Sequence, residues 1–159
     1  MPGLIEKRLA LIKIVLKHAV LFLIGGLLYI CIELLYRGDT HWSMAVVGGF
    51  AFVSCGLINE VLSWKTPLWK QSLIGGLIIT ILELISGIIL NIILKWDVWD
   101  YTNYKINFIG QVCLPFSILW CFLAIVAILL DDYLRYWLFK RKNQDMKFFS
   151  CKISLPYSV

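Results

Sequence analysis

The stretch INFIGQVCLPFSILWCFLAIVAILL, residues 106–130, contains no charged residue. About 20 mostly apolar residues wound as a helix cross the hydrocarbon core of a bilayer. The run is too long for a strand and lacks strict apolar/polar alternation, so it does not belong to a transmembrane barrel. Three more runs of the same kind lie upstream, at residues 18–36, 42–62 and 68–94. The chain therefore reads as all-α: a polytopic membrane protein built as a four-transmembrane-helix bundle. Residues 1–142 make a single transmembrane domain and residues 143–159 a cytoplasmic tail.

Composition agrees. Of 159 residues, 60% are apolar and 16% charged, against roughly half and a quarter in ordinary soluble domains. The net charge of +5 gathers near the two ends, as juxtamembrane positive charge does. No basic stretch is interleaved with aromatics on a soluble platform, which excludes nucleic acid and leaves membrane lipids as the expected surroundings. Lys7, Arg8, Lys13 and Lys17 precede an apolar run in the manner of a secretory signal. That run is too long for a signal core and no small-x-small site follows it, so an uncleaved first helix is expected. Residues 4–17 either form an amphipathic N-terminal segment on the inner surface or extend the first span.

Lysines and arginines set the expected orientation. With the N-terminus inside, the cytoplasmic side holds Lys7, Arg8, Lys13, Lys17, Lys65, Lys70, Arg135, Lys140, Arg141, Lys142, Lys147 and Lys152. The outer loops hold only Arg37, Lys95 and Lys105. Twelve against three places both termini in the cytoplasm by the positive-inside rule. Trp42, Trp64, Trp69, Trp96, Trp99 and Trp137 fall at span ends, where amphipathic rings form interfacial belts.

Residues 23–35, LIGGLLYICIELL, and residues 73–85, LIGGLIITILELI, match at seven of thirteen positions, with Gly-Gly and Glu at equal spacing. This suggests two parallel two-helix repeats. The paired glycines Gly25–Gly26, Gly75–Gly76 and Gly48–Gly49 suit close helix packing in lipid.

A carboxylate within an apolar span needs a partner or a task. Glu83 lies mid-way along the third span, with Asn91 further on; Glu33 and Arg37 are spaced to pair on one helix face. With His41, Trp99, Asp100, Tyr101, Asn107 and Gln111, these residues fall in the outer half and are expected to converge on one polar pocket. Two readings stand side by side: a hydrogen-bond network pinning the helices, or a site for a polar headgroup, solute or proton. A second group, Asn59, Glu60, Asp131, Asp132 and Arg135, is expected as a solvated inner interface. No Gly-x-x-x-x-Gly-Lys-Ser/Thr loop, Gly-x-Ser-x-Gly elbow or His-Glu-x-x-His pair occurs, so no catalytic residue set is assigned. The five cysteines, Cys31, Cys55, Cys113, Cys121 and Cys151, show no metal-ligand spacing, and no metal or cofactor is expected.

The stretches Arg37-Gly-Asp-Thr-His-Trp-Ser-Met44, Gly56-Leu-Ile-Asn-Glu60, Glu83-Leu-Ile-Ser-Gly87, Trp99-Asp-Tyr-Thr102 and Asn107-Phe-Ile-Gly-Gln-Val-Cys-Leu114 resemble a family of small bacterial membrane proteins. Its description is "putative ABC-transporter type IV", or "putative ABC transporter permease". The Glu83–Gly87, Trp99–Tyr101 and Gly110 features are also similar to a family of small vertebrate four-span proteins. The resemblance spans roughly residues 20–139. It implies a permease subunit that borrows a separate ATPase and completes its path as a homo-oligomer or with a partner. Together with the polar residues, the first reading is a permease-like component that binds a small polar or amphiphilic substrate in the outer-half pocket, with Glu83 as its central group. A membrane-embedded lipid-binding protein or lipid-acting enzyme, and a structural or partner subunit, are the alternatives.

Overall fold

A computed structural model of the chain describes residues 3–62 and 66–139. Four helices, each long and apolar enough to cross a membrane, pack as a bundle. They are α1 (Leu4–Arg37), α2 (Ser43–Val61), α3 (Leu68–Gly87, continued as a π-helical end over Ile88–Ile93) and α4 (Leu114–Phe139). A two-strand antiparallel hairpin, β1 (Asn107–Phe108) and β2 (Val112–Cys113), precedes α4. Trp64, Lys65 and the tail at 143–159 lie outside the described residues.

One open alternative is settled as an extended first span, and one boundary differs from the sequence expectation. Residues 4–17 do not lie apart on a surface: α1 is one continuous helix of 34 residues. At about 1.5 Å per residue it is longer than a bilayer core of about 30 Å. Its first turns are exposed on every side and project beyond the bundle. The boundary that differs is the start of the fourth span: residues 106–113 form the hairpin, and α4 begins only at Leu114.

Glycines set the helix spacing. A Cβ on Gly26 would strike the carbonyl oxygen of Ala45, and one on Gly48 the Tyr29 side chain, so α1 and α2 meet at backbone distance. Gly75 and Gly76 do the same for α3 against α4, where a Cβ on Gly75 would come within 2.7 Å of the Ala124 methyl. Without a hydrophobic drive between helices in lipid, such close approach is what supplies packing energy. The bundle core is thin, with Cys55, Ile58, Ile79, Trp120, Ala124 and Ile128 at its centre. Large apolar side chains on every helix face outward, as a lipid-facing surface does. α1 packs along α2, and α3 along α4, but α1 and α4 barely touch. That leaves a crevice between them.

Candidate functional site

One end of the bundle gathers the C-terminus of α1, the N-terminus of α2, the π-helical end of α3 and the hairpin; we call it the hairpin end. The polar residues expected there do assemble at this end, but as three groups with different surroundings.

The first group fastens the loop. A π-turn widens the helix by one residue and re-aims its side chains, and here it turns Asn91 towards residues 98–111. The Asn91 amide donates to the Trp99 carbonyl (2.9 Å) and to Gln111 Oε1 (2.8 Å), and its Oδ1 accepts from the Val98 N–H (2.8 Å). The Trp99 indole N–H donates to the Gln111 carbonyl (3.0 Å). Gly87 leaves room for Gln111, whose Oε1 would sit 2.6 Å from an added Cβ. Asn107 steadies the hairpin turn, accepting from the Gly110 N–H (3.0 Å) while its amide donates to the Tyr104 carbonyl (2.6 Å). That turn holds Ile109 at φ 49° and Gly110 at φ 67°; a β-branched residue there is strained. These contacts satisfy Asn91, Gln111 and Asn107 completely enough to make them structural fasteners.

The second group centres on Glu83, 5% exposed in α3. Its two carboxylate oxygens accept from the Tyr101 hydroxyl (3.0 Å) and the Trp120 indole N–H (2.8 Å). Burial, then the adjacent Glu83 carboxylate, push the Tyr101 hydroxyl above the ordinary phenol range, which keeps it a donor. The sequence reading missed Trp120. The signal was there: a buried indole N–H requires an acceptor, and Glu83 is the carboxylate within an apolar run.

The third group lines an open pocket. Glu33 and Arg37 pair at 3.8 Å, the Thr40 hydroxyl donates to Glu33 Oε2 (2.7 Å), and the Arg37 guanidinium donates to the Val98 carbonyl (2.9 Å) while lying 3.6 Å from Asp39. Asp100 accepts from the Thr102 N–H (2.9 Å) and hydroxyl (2.7 Å), which holds its exposed carboxyl below the usual aspartate range. Glu33, Arg37, Trp99, Asp100 and Tyr101 border a cavity of about 320 Å³, with Glu83 directly behind its Tyr101 and Trp120 walls. Tyr36, Tyr104 and Phe116 complete its rim; the sequence analysis did not single them out. His41 is elsewhere. Its ring packs on Trp42 and Trp96 at centroid distances of 5.4 and 5.2 Å, and its Nδ1 meets Ser43 Oγ at 2.8 Å.

This cavity shares Tyr29, Ile32, Trp120 and Leu123 with a second, apolar pocket of about 100 Å³ in the α1–α4 crevice. A chamber of aromatic walls with charged groups on its border thus shares a wall with an apolar slot. A wider groove of about 490 Å³ lies between α2 and α3, walled by Val46, Phe50, Ile85 and Ile89. It has no charged residue to orient a ligand.

The opposite end departs from expectation. Asn59, Glu60, Asp131, Asp132 and Arg135 were expected as a solvated interface, yet Asp131 and Arg135 are 0% exposed. Arg135 Nε donates to Asp131 Oδ2 at 2.5 Å, its Nη1 pairs with Glu60 Oε1, and the Asn59 amide donates to Asp132 Oδ2 at 2.6 Å. Gly56 makes room: an added Cβ would strike the Asp131 carboxylate. Asp131, Asp132 and Arg135 lie on the face of α4 buried against α2, while Glu60 stays partly exposed. Among the described residues no group of acidic, histidine or cysteine side chains has the geometry to hold a metal ion.

The profile of the family described as "Putative ABC-transporter type IV" matches residues 20–157. The chain belongs to that family, as a multi-pass membrane protein. No curated protein and no solved structure matches it.

Proposed function

We propose that the protein is a permease-like membrane component that takes an amphiphile into the hairpin-end cavity. One observation carries this reading: an aromatic-walled chamber with Glu33, Arg37 and Asp100 on its border shares a wall with an apolar slot between two helices that barely touch. A headgroup and a chain need such a pair of compartments side by side. A lateral gap lets the chain enter from the bilayer without crossing water. The family description supports transport. The excess of lysine and arginine at the other end supports a hairpin end that faces outward and termini in the cytoplasm. Among the described residues, with buried Arg135 left out, Lys7, Arg8, Lys13, Lys17 and Lys70 lie towards that end, against Arg37, Lys95 and Lys105 at the hairpin end. The chain has no phosphate-binding loop of its own, so an energised permease would draw on a separate ATPase, and four spans favour a homo-oligomer or partner to complete a path.

Leu123 borders both compartments. Leu123→Trp fills their junction without touching the charged groups. In native mass spectrometry of protein released from phospholipid nanodiscs, the wild type retains one amphiphile per chain and the folded Leu123→Trp variant loses it. Equal retention by the two removes the assignment.

A further inference from the structure

We infer that the headgroup chamber is a cation site, and that its ligand is an alkylammonium amphiphile with its charge among the aromatic rings and its chain in the α1–α4 slot. The inference rests on the amphiphile reading above and names the ligand's chemistry.

The chamber's walls are a connected set of rings. Tyr101 stacks on Phe116 at a centroid distance of 4.8 Å and an interplanar angle of 16°. Tyr36 and Tyr104 meet Phe116 edge-on at 6.1 and 5.8 Å. Phe116 contacts Trp120 at 6.2 Å, and Trp120 contacts Tyr29 at 6.1 Å. All six rings border the same cavity. The negative faces of such rings attract a cation, and a quaternary ammonium most readily, because it is weakly hydrated and has no hydrogen bonds to satisfy.

The charges point the same way. Two carboxylates, Glu33 and Asp100, border the chamber against one guanidinium, Arg37. Asp100 is held ionised by its two bonds from Thr102. Arg37 is committed on three sides, to Glu33, Asp39 and the Val98 carbonyl. It neutralises its neighbours and has little left for an anion. An anionic head would face two carboxylates and the negative faces of the rings, whereas a cationic head meets compatible groups on each wall. The slot beyond Trp120 and Leu123 is apolar, which takes an alkyl chain and favours an amphiphile over a free small cation.

The test uses the full chain in dodecyl maltoside micelles, titrated with dodecyltrimethylammonium, with dodecanoate, and with tetramethylammonium as the chainless cation. Saturable one-to-one binding is read by native mass spectrometry and by tryptophan fluorescence. Dodecyltrimethylammonium is expected to bind at least about tenfold tighter than dodecanoate, and tetramethylammonium to compete only at far higher concentration. Tyr36 is 69% exposed at the rim, so Tyr36→Ala leaves the fold intact; it is expected to weaken the cation several-fold while Tyr36→Phe restores it. If dodecanoate binds as tightly while Leu123→Trp abolishes both, the cation inference is overturned and the amphiphile reading stands. Should tetramethylammonium compete as well as the long-chain cation, the slot has no part in binding and the ligand is not an amphiphile. If neither amphiphile binds, both readings are overturned.

Discussion

Glu33 and Arg37 pair on α1 with a spacing of four, and Asp131 and Arg135 pair on α4 with the same spacing. The first pair is loose, 3.8 Å apart with the Arg37 side chain 31% exposed, and it borders a cavity. The second is tight at 2.5 Å, with both side chains 0% exposed, and from α2 Glu60 pairs with Arg135 while Asn59 holds the neighbouring Asp132. The helix spacing that makes each pair is local, whereas burial depends on what the neighbouring helices bring. At the Arg135 end Gly56 lets α2 settle onto the Asp131 carboxylate. At the hairpin end, α1 and α4 stand apart and leave the pair beside open volume. The first pair borders open volume, whereas the pairings of Arg135 tie α4 to α2.

The largest effect is expected from Arg135→Leu. It strands Asp131 and Glu60 without their shared counter-charge, and breaking a buried pair costs about 3–5 kcal/mol. Thermal unfolding in detergent should show a large drop in Tm and a loss of folded protein. A variant as stable as the wild type would mean that this end is solvated after all. Gly56→Ala comes next. Its methyl group displaces the Asp131 carboxylate, at about 1–3 kcal/mol for overpacking, and the same unfolding measurement reads it. Glu33→Gln should move stability least. The pair it breaks is loose and part-exposed, worth about 1 kcal/mol or less, and the glutamine oxygen still accepts from Thr40. Amphiphile retention by that folded variant should nevertheless fall several-fold. If instead Glu33→Gln unfolds the protein while Arg135→Leu spares it, the roles assigned to the two ends are reversed.

The four helices were legible because each needs only length and apolar content, which a sequence displays directly. The Gly-Gly pairs were legible as packing sites for a similar reason: small residues in lipid have few other uses. The hairpin was not. Residues 106–113 are uncharged and apolar enough to read as the start of a span. What turns them is a three-dimensional demand: Asn91, re-aimed by a π-turn, needs partners in this segment. Hydropathy does not register a π-turn. The burial of Arg135 was hidden because the end of the apolar run near residue 130 looks like the end of the membrane, whereas the helix carries its charges on into contact with α2. Of the polar set expected at one site, Glu33, Arg37, Trp99, Asp100 and Tyr101 border the cavity, Glu83 stands behind it, and Asn91, Asn107 and Gln111 brace the loop. His41 alone turned elsewhere, towards Trp42 and Trp96.

The most direct measurement is an experimental density map of the full chain in a lipid nanodisc. Elongated density is expected that begins among Tyr36, Tyr101 and Phe116 and runs between α1 and α4 past Leu123, with the Arg135 end closed around its own side chains. A map with α1 and α4 packed together and the hairpin-end cavity filled by protein would contradict it.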